Sequence, residues 1–170
     1  MAALSSSRFS ATDPATTRLL SARLLLTRIA VVLTFGIVVL GAYVRLMDAG
    51  LGCPDWPGCY GHASPLGAVH DIAKAQADLP SGPVTHGKAW VEMVHRYLAT
   101  AVGVLILTLA ATSWAERQRI QISPWWPTVT LAWVCLQGAF GALTVTMKLF
   151  PLIVTLHLLG GMVLIALLAV

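Results

Sequence analysis

Four apolar runs divide this chain, at about Ile29 to Met47, Trp90 to Trp114, Trp125 to Met147 and Leu152 to Val170. Each approaches the roughly 20 residues an α-helix needs to cross the hydrocarbon of a bilayer. No water reaches backbone N–H and C=O groups there, so each run must satisfy its hydrogen bonds within itself, as a helix. A mean hydropathy of +0.78 and a charged fraction of 11% leave little for a separate soluble domain. The fold class is all-α, a polytopic membrane protein whose core is a bundle of four transmembrane helices.

Basic residues set the expected orientation. Arg8, Arg18, Arg23 and Arg28 precede the first run, and Arg117 and Arg119 lie in the short link between the second and third. Both segments are therefore expected in the cytoplasm. Residues 1–27, rich in Ser, Thr and Ala with scattered Arg, have a composition that a transit peptide would share; they are read as a floppy cytoplasmic tail before an uncleaved anchor. The membrane domain is then 28–170. Its external loop runs from about Asp48 to Ala89, with one short helix expected near Val69 to Ala77, and a second external turn covers Lys148 to Pro151. The formal charge of +4 follows from this topology, and no nucleic-acid motif accompanies it.

The costliest residues in such a chain are ionisable groups inside the spans. At the mouth of the second span, Glu92 precedes His95 by three residues and Arg96 by four, so on a helix the carboxylate overlies both. With Trp90 as interfacial anchor, His95 lies about 8 Å deep, and His157 lies about 9 Å into the fourth span. Those two spans run in the same direction, so the imidazoles share one depth. A lone membrane histidine is more often a satisfied hydrogen-bonding residue; two at one level can hold haem iron from both sides, with outer acceptors fixing the ring tautomer. Closed zinc sites want four ligands. Gly138, Gly141, Gly160 and Gly161 are small enough to leave space for a macrocycle, and Ala99, Gly103 and Ala110 either do so or allow close helix approach. Arg45 and Arg96 are candidate partners for propionates, although Arg45 can equally snorkel to lipid headgroups. Gln137 is a candidate ligand donor or an interhelical hydrogen-bonding residue, and Cys135 a small hydrophobe.

The loop sequence Gly50-Leu51-Gly52-Cys53-Pro54-Asp55-Trp56-Pro57-Gly58-Cys59-Tyr60-Gly61 forbids a helix through its Pro and Gly content. Cys53 and Cys59 sit on the side where a disulfide can persist, either as a staple or as an exchangeable redox pair, and their spacing fits neither zinc nor Cys-x-x-Cys chemistry. His62, His70 and His86 are read as surface residues.

The run Gly-Ala-Tyr-Val-Arg-Leu leading into this loop, the stretch Glu92-Met93-Val94-His95-Arg96, the stretch Gln137-Gly138-Ala139-Phe140-Gly141-Ala142-Leu143-Thr144-Val145, and Thr155-Leu156-His157 together resemble the haem A synthase family. The likeness extends from about residue 28 to the end. It implies a membrane oxidoreductase that converts the ring methyl of haem O to the formyl of haem A, built from two four-helix halves that each carry a histidine pair. By matching position it makes His95 and His157 the iron ligands of the first half, associated with the substrate haem. Glu92 becomes a functional carboxylate, expected to accept a proton as the methyl is oxidised, and Cys53 with Cys59 the loop disulfide. A haem b cofactor belongs to the second half of that fold. The chain is thus expected to be a fragment, or to associate with a second copy. Expected partners are haem O, membrane lipid, the farnesyltransferase that makes haem O, and terminal oxidase assembly. The expected location is the bacterial inner membrane, or the mitochondrial inner membrane in a eukaryote. A b-type haem electron carrier or assembly factor is the alternative, with a quinone-linked disulfide-forming enzyme ranked below, since that class needs two external Cys pairs.

Overall fold

The computed structural model describes residues 13–120 and 122–170, so Arg8 and the rest of 1–12 lie outside the described residues. Among the described residues six helices follow in order: α1 (Pro14–Leu46), α2 (Val69–Asp78), α3 (His86–Ala115), α4 (Arg117–Ile120), α5 (Trp125–Thr146) and α6 (Pro151–Ala169). Of these, α1, α3, α5 and α6 are long and apolar enough to cross a membrane, which makes the chain a multi-pass membrane protein.

The first helix begins well before the apolar run that announces it. Asp13 accepts the Ala15 N–H at 3.1 Å and Pro14 occupies the first turn, a start signal that needs no apolar face. Residues 14–27 are therefore helix, a correction to the floppy tail expected for them. At 33 residues α1 is roughly 50 Å long, more than the hydrocarbon requires, and its Arg23 reaches across to bond the Ser113 hydroxyl of α3. Polar side chains also start α3, where the Thr85 hydroxyl accepts the Lys88 N–H at 3.2 Å. The short loop helix forms where its sequence indicated, at Val69–Asp78, with Ile72 buried beneath it.

In cross-section the four long helices form a ring. Helix α1 packs against α3 and α6, and α5 packs against the same two. The backbones of α3 and α6 do not pack against each other, so these helices occupy opposite corners, as do α1 and α5.

The ring repeats itself. Gly41-Ala42 and Met47 of the first hairpin recur, at the same spacing, as Gly141-Ala142 and Met147 of the second. Both first helices end alike: Asp48 and Lys148 each adopt φ 51°, Ala49 N–H bonds Val44 O at 2.9 Å, and Leu149 N–H bonds Thr144 O at 2.8 Å. This six-to-one closure around a left-handed residue satisfies carbonyls that the helix end would otherwise orphan. A half-turn about the ring axis exchanges α1 with α5 and α3 with α6, preserving every packing pair.

Buried apolar residues collect at two levels. Cys53, Cys59, Ala68, Ile72, Ala89 and Met93 form a cluster under the loop, and Ala30, Val102, Ile106, Leu164 and Leu168 form another deeper in the ring. His95 and His157 belong to neither.

Candidate functional site

The loop between α1 and α3 is held by α3 through both kinds of backbone group. Glu92, 4% exposed, accepts the Cys53 N–H on Oε2 at 2.9 Å and pairs through Oε1 with Arg96. Arg96 Nη1 donates to the carbonyls of Asp55 at 2.9 Å and Gly58 at 2.6 Å, and the Tyr97 hydroxyl donates to Ala63 O at 2.7 Å. Gly52 permits this approach, because a Cβ there would stand 2.7 Å from the Ala89 nitrogen. Within the loop Cys53 and Cys59 are joined in a disulfide, with Cα atoms 4.8 Å apart. The Asp55 carboxylate receives the Tyr60 and Gly61 N–H groups at 2.6 and 2.7 Å, while Cys59 and His62 exchange backbone bonds of 2.8 and 3.0 Å. Burial, with the nearby carboxylates of Asp71 and Asp55, pushes the Tyr60 phenol above its ordinary pKa.

The spacing of Glu92, His95 and Arg96 predicts one cluster, and the structure separates it. Glu92 bonds Arg96 and the loop, and no hydrogen bond joins it to His95. Arg96 spends both terminal nitrogens on Glu92 and loop carbonyls, a commitment that competes with the expected propionate contact. Arg45 remains exposed in the last turn of α1, with no ion-pair partner among the described residues.

His95 faces α1. A Cβ on Gly41 would lie 3.0 Å from its Cε1, and the Ile37 carbonyl, one turn earlier on α1, also stands near the ring. His157 faces α5 in the matching way: a Cβ on Gly141 would lie 3.4 Å from Cε1, and the Gln137 carbonyl is the neighbouring acceptor. Neither approach reaches hydrogen-bond geometry, so both Nδ1 atoms are buried without a partner. Each imidazole thus stands beside a glycine of its own hairpin partner, with a carbonyl four residues before that glycine. The half-turn that relates the hairpins relates these sites as well.

Other small residues behave differently from expectation. The space beside Gly160 is filled by the Gln137 side chain and that beside Gly161 by Val38, whereas Gly138 and Gly103 meet nothing within 4 Å. Gln137 is 6% exposed, and its Oε1 has no partner. Cys135 is exposed on α5, His62 and His70 are exposed on the loop, and His86 is partly buried at the start of α3.

Two imidazoles on opposite corners of a helix ring, with buried unpaired nitrogens and a glycine against each ring, suit a flat metal-centred ligand gripped from two faces. Tautomer control would come from the Ile37 and Gln137 carbonyls, as outer acceptors commonly supply it. The signal that could have located these positions beforehand is the Gly-Ala and Met repeat of α1 and α5, which marks Gly41 as the counterpart of Gly141.

Comparison with known proteins converges on one family. Residues 24–170 match the family described as cytochrome oxidase assembly protein, COX15-CtaA. A Heme A synthase of Shewanella oneidensis is 45% identical over 144 residues, which is 84% of this chain and 42% of that protein. Heme A synthases of Lysinibacillus sphaericus and Shouchella clausii are 30% and 28% identical over 126 and 136 residues, covering 71% and 78% of this chain but 34% and 40% of theirs. The chain therefore spans about two fifths or less of the length of these relatives. No solved structure matches it. On the strength of a match running through all four long helices, the chain belongs to the COX15-CtaA family of cytochrome oxidase assembly proteins.

Proposed function

We propose that this chain forms the substrate-haem half of an enzyme of haem A biosynthesis, in which haem O is held between His95 and His157 while its ring methyl is oxidised to a formyl group. The observation that carries the reading is the matched pair of imidazoles on α3 and α6, each with a buried, unpartnered Nδ1 and a glycine against its ring. Haem iron supplies a redox centre when bound. This chain's residues orient the ring and keep water from it. His95 and His157 would fix the porphyrin plane, and Gly41 and Gly141 would leave room at its margins. Arg45 is the guanidinium free to meet a propionate; Arg96 would first have to release loop carbonyls. Glu92, the one buried carboxylate among the described residues, is proposed to accept a proton as the methyl is oxidised, with the electrons passing to an acceptor outside this chain and the formyl oxygen coming from water. Because its carboxylate also holds Cys53, it would report loop position to the site.

The haem b cofactor, and with it complete turnover, is assigned to a second half or a second copy. Haem O would arrive from a farnesyltransferase and the product would pass to terminal oxidase assembly, in an inner membrane with α1 starting in the cytoplasm.

The test is to supply haem O to membranes holding the full chain with its complementing half, extract the porphyrins and look for the formyl product. Formyl porphyrin that disappears in His95→Ala and His157→Ala supports the proposal. Haem bound through these histidines without any formyl product would make the chain a b-type electron carrier instead.

A further inference from the structure

The two imidazoles are related by the internal repeat, yet their surroundings restrain them unequally. His95 is flanked by Glu92, Arg96 and Tyr97, which tie its turn of α3 to the disulfide loop through bonds of 2.9, 2.6 and 2.7 Å to Cys53, Gly58 and Ala63. A Cβ on Gly41 would meet three of its ring atoms, at 3.0, 3.7 and 3.7 Å.

Among the described residues, the corresponding turns of α6 lack such ties. From Pro151 to His157 the side-chain hydrogen bond present is Thr155 to the Pro151 carbonyl of the same helix, at 2.9 Å. Bonds from other helices arrive only deeper, from Trp133 to Gly160 O and from Trp126 to Leu167 O, each at 2.9 Å. A Cβ on Gly141 would touch only two atoms of the imidazole, at 3.4 and 3.8 Å. A segment with few polar anchors is where local opening costs least.

A receptor for the loosened ring stands close by. Gln137 Oε1 is buried with no donor, and its side chain already reaches α6 at Gly160, one turn beyond His157. A buried amide oxygen without a donor forfeits on the order of 1–3 kcal/mol, so a new N–H partner would be welcome.

From this inequality we infer that His157 is the exchangeable axial ligand and His95 the permanent one. The inference rests on the haem reading above. On withdrawing from bound haem, the His157 imidazole would keep its lone pair. Nδ1 keeps its hydrogen and donates it to Gln137 Oε1, and no electron moves. The place that His157 leaves would then admit a small ligand bringing its own electron pair.

The experiment uses the full chain loaded with haem in lipid nanodiscs, with carbon monoxide as probe after dithionite reduction. His157→Ala should retain haem near the wild-type level, and added imidazole should restore its six-coordinate spectrum. His95→Ala should lower haem retention at least roughly tenfold, without rescue. In Gln137→Leu, carbon monoxide should bind roughly tenfold more slowly, since the withdrawn ring loses its partner. Equal haem loss in the two histidine variants, or the reverse order, overturns the inference while leaving the haem reading intact. Full retention in both overturns the haem reading and the inference with it. A measurement independent of haem and of variant folding is amide hydrogen exchange of the unloaded chain. Residues 155–158 should exchange roughly tenfold faster than 93–96. Equal rates in those windows overturn the inequality whatever haem does.

Discussion

In the α1–α3 hairpin a long polar loop is bonded to the second helix through Glu92, Arg96 and Tyr97. The α5–α6 hairpin turns within Met147 to Phe150, and among the described residues no side chain of another element hydrogen-bonds the first two turns of its second helix. The helix ends, the glycines and the histidines correspond between the two, so the difference isolates what the loop adds. It adds restraint to one imidazole and leaves the other to packing alone. A repeated frame can thus hold two like side chains with unlike freedom.

The largest break of this contrast should come from Arg96→Ala. It strips the loop of its carbonyl anchor and leaves Glu92 a buried, unpaired carboxylate, a loss of about 3–5 kcal/mol that detergent unfolding would register. Glu92→Gln should cost less, about 1–3 kcal/mol, because an amide oxygen can still accept the Cys53 N–H. Under the proposed reaction it should leave haem bound and formyl production stalled, so undiminished production would remove the proton-accepting role.

Removing the disulfide with Cys53→Ser and Cys59→Ser reopens a short loop, worth about 2 kcal/mol in the same assay. An unchanged rate of haem A formation in that double variant would make the bond a staple only.

The glycines sharpen the comparison by sign. Gly41→Ala forces a methyl to 3.0 Å from His95 and should destabilise by roughly 1–3 kcal/mol. At Gly141 the contact is ordinary, and the helix propensity of alanine should make Gly141→Ala neutral or stabilising by up to about 1 kcal/mol.

The smallest effect is one of pH at the start of α1. Hydrogen bonding from Arg119 and the Ala15 N–H holds the Asp13 carboxyl below its ordinary range. A depressed folded pKa contributes stability at neutral pH that is lost as the solution is acidified through the carboxylate range. Asp13→Asn should flatten that acid limb slightly and do nothing above it.

How much of this was readable from the chain depends on the kind of signal. The four spans were, because apolar length is a property of consecutive residues, and so was the Glu92 to Arg96 pair, which needs only helical spacing. The early start of α1 was present in Asp13-Pro14 but masked by the arginines around it. The partners of Glu92 and Arg96 were not legible, since Cys53 N–H and the carbonyls of Asp55 and Gly58 are backbone groups that no side-chain pattern marks. The same holds for the Ile37 and Gln137 carbonyls near the imidazoles. Gly160 looked like open space because sequence cannot say that Gln137 folds into it.

The half-turn relation between hairpins has a consequence for any flat guest with two dissimilar edges. A symmetric cradle would accept such a disc equally well in either of two settings, so orientation must come from where the copies diverge. At the rim, Arg45 of one copy stands where the other has Val145, and Asp48 where the other has Lys148. In the proposed site the shared positions would give the grip, and these mismatches would give it a front and a back.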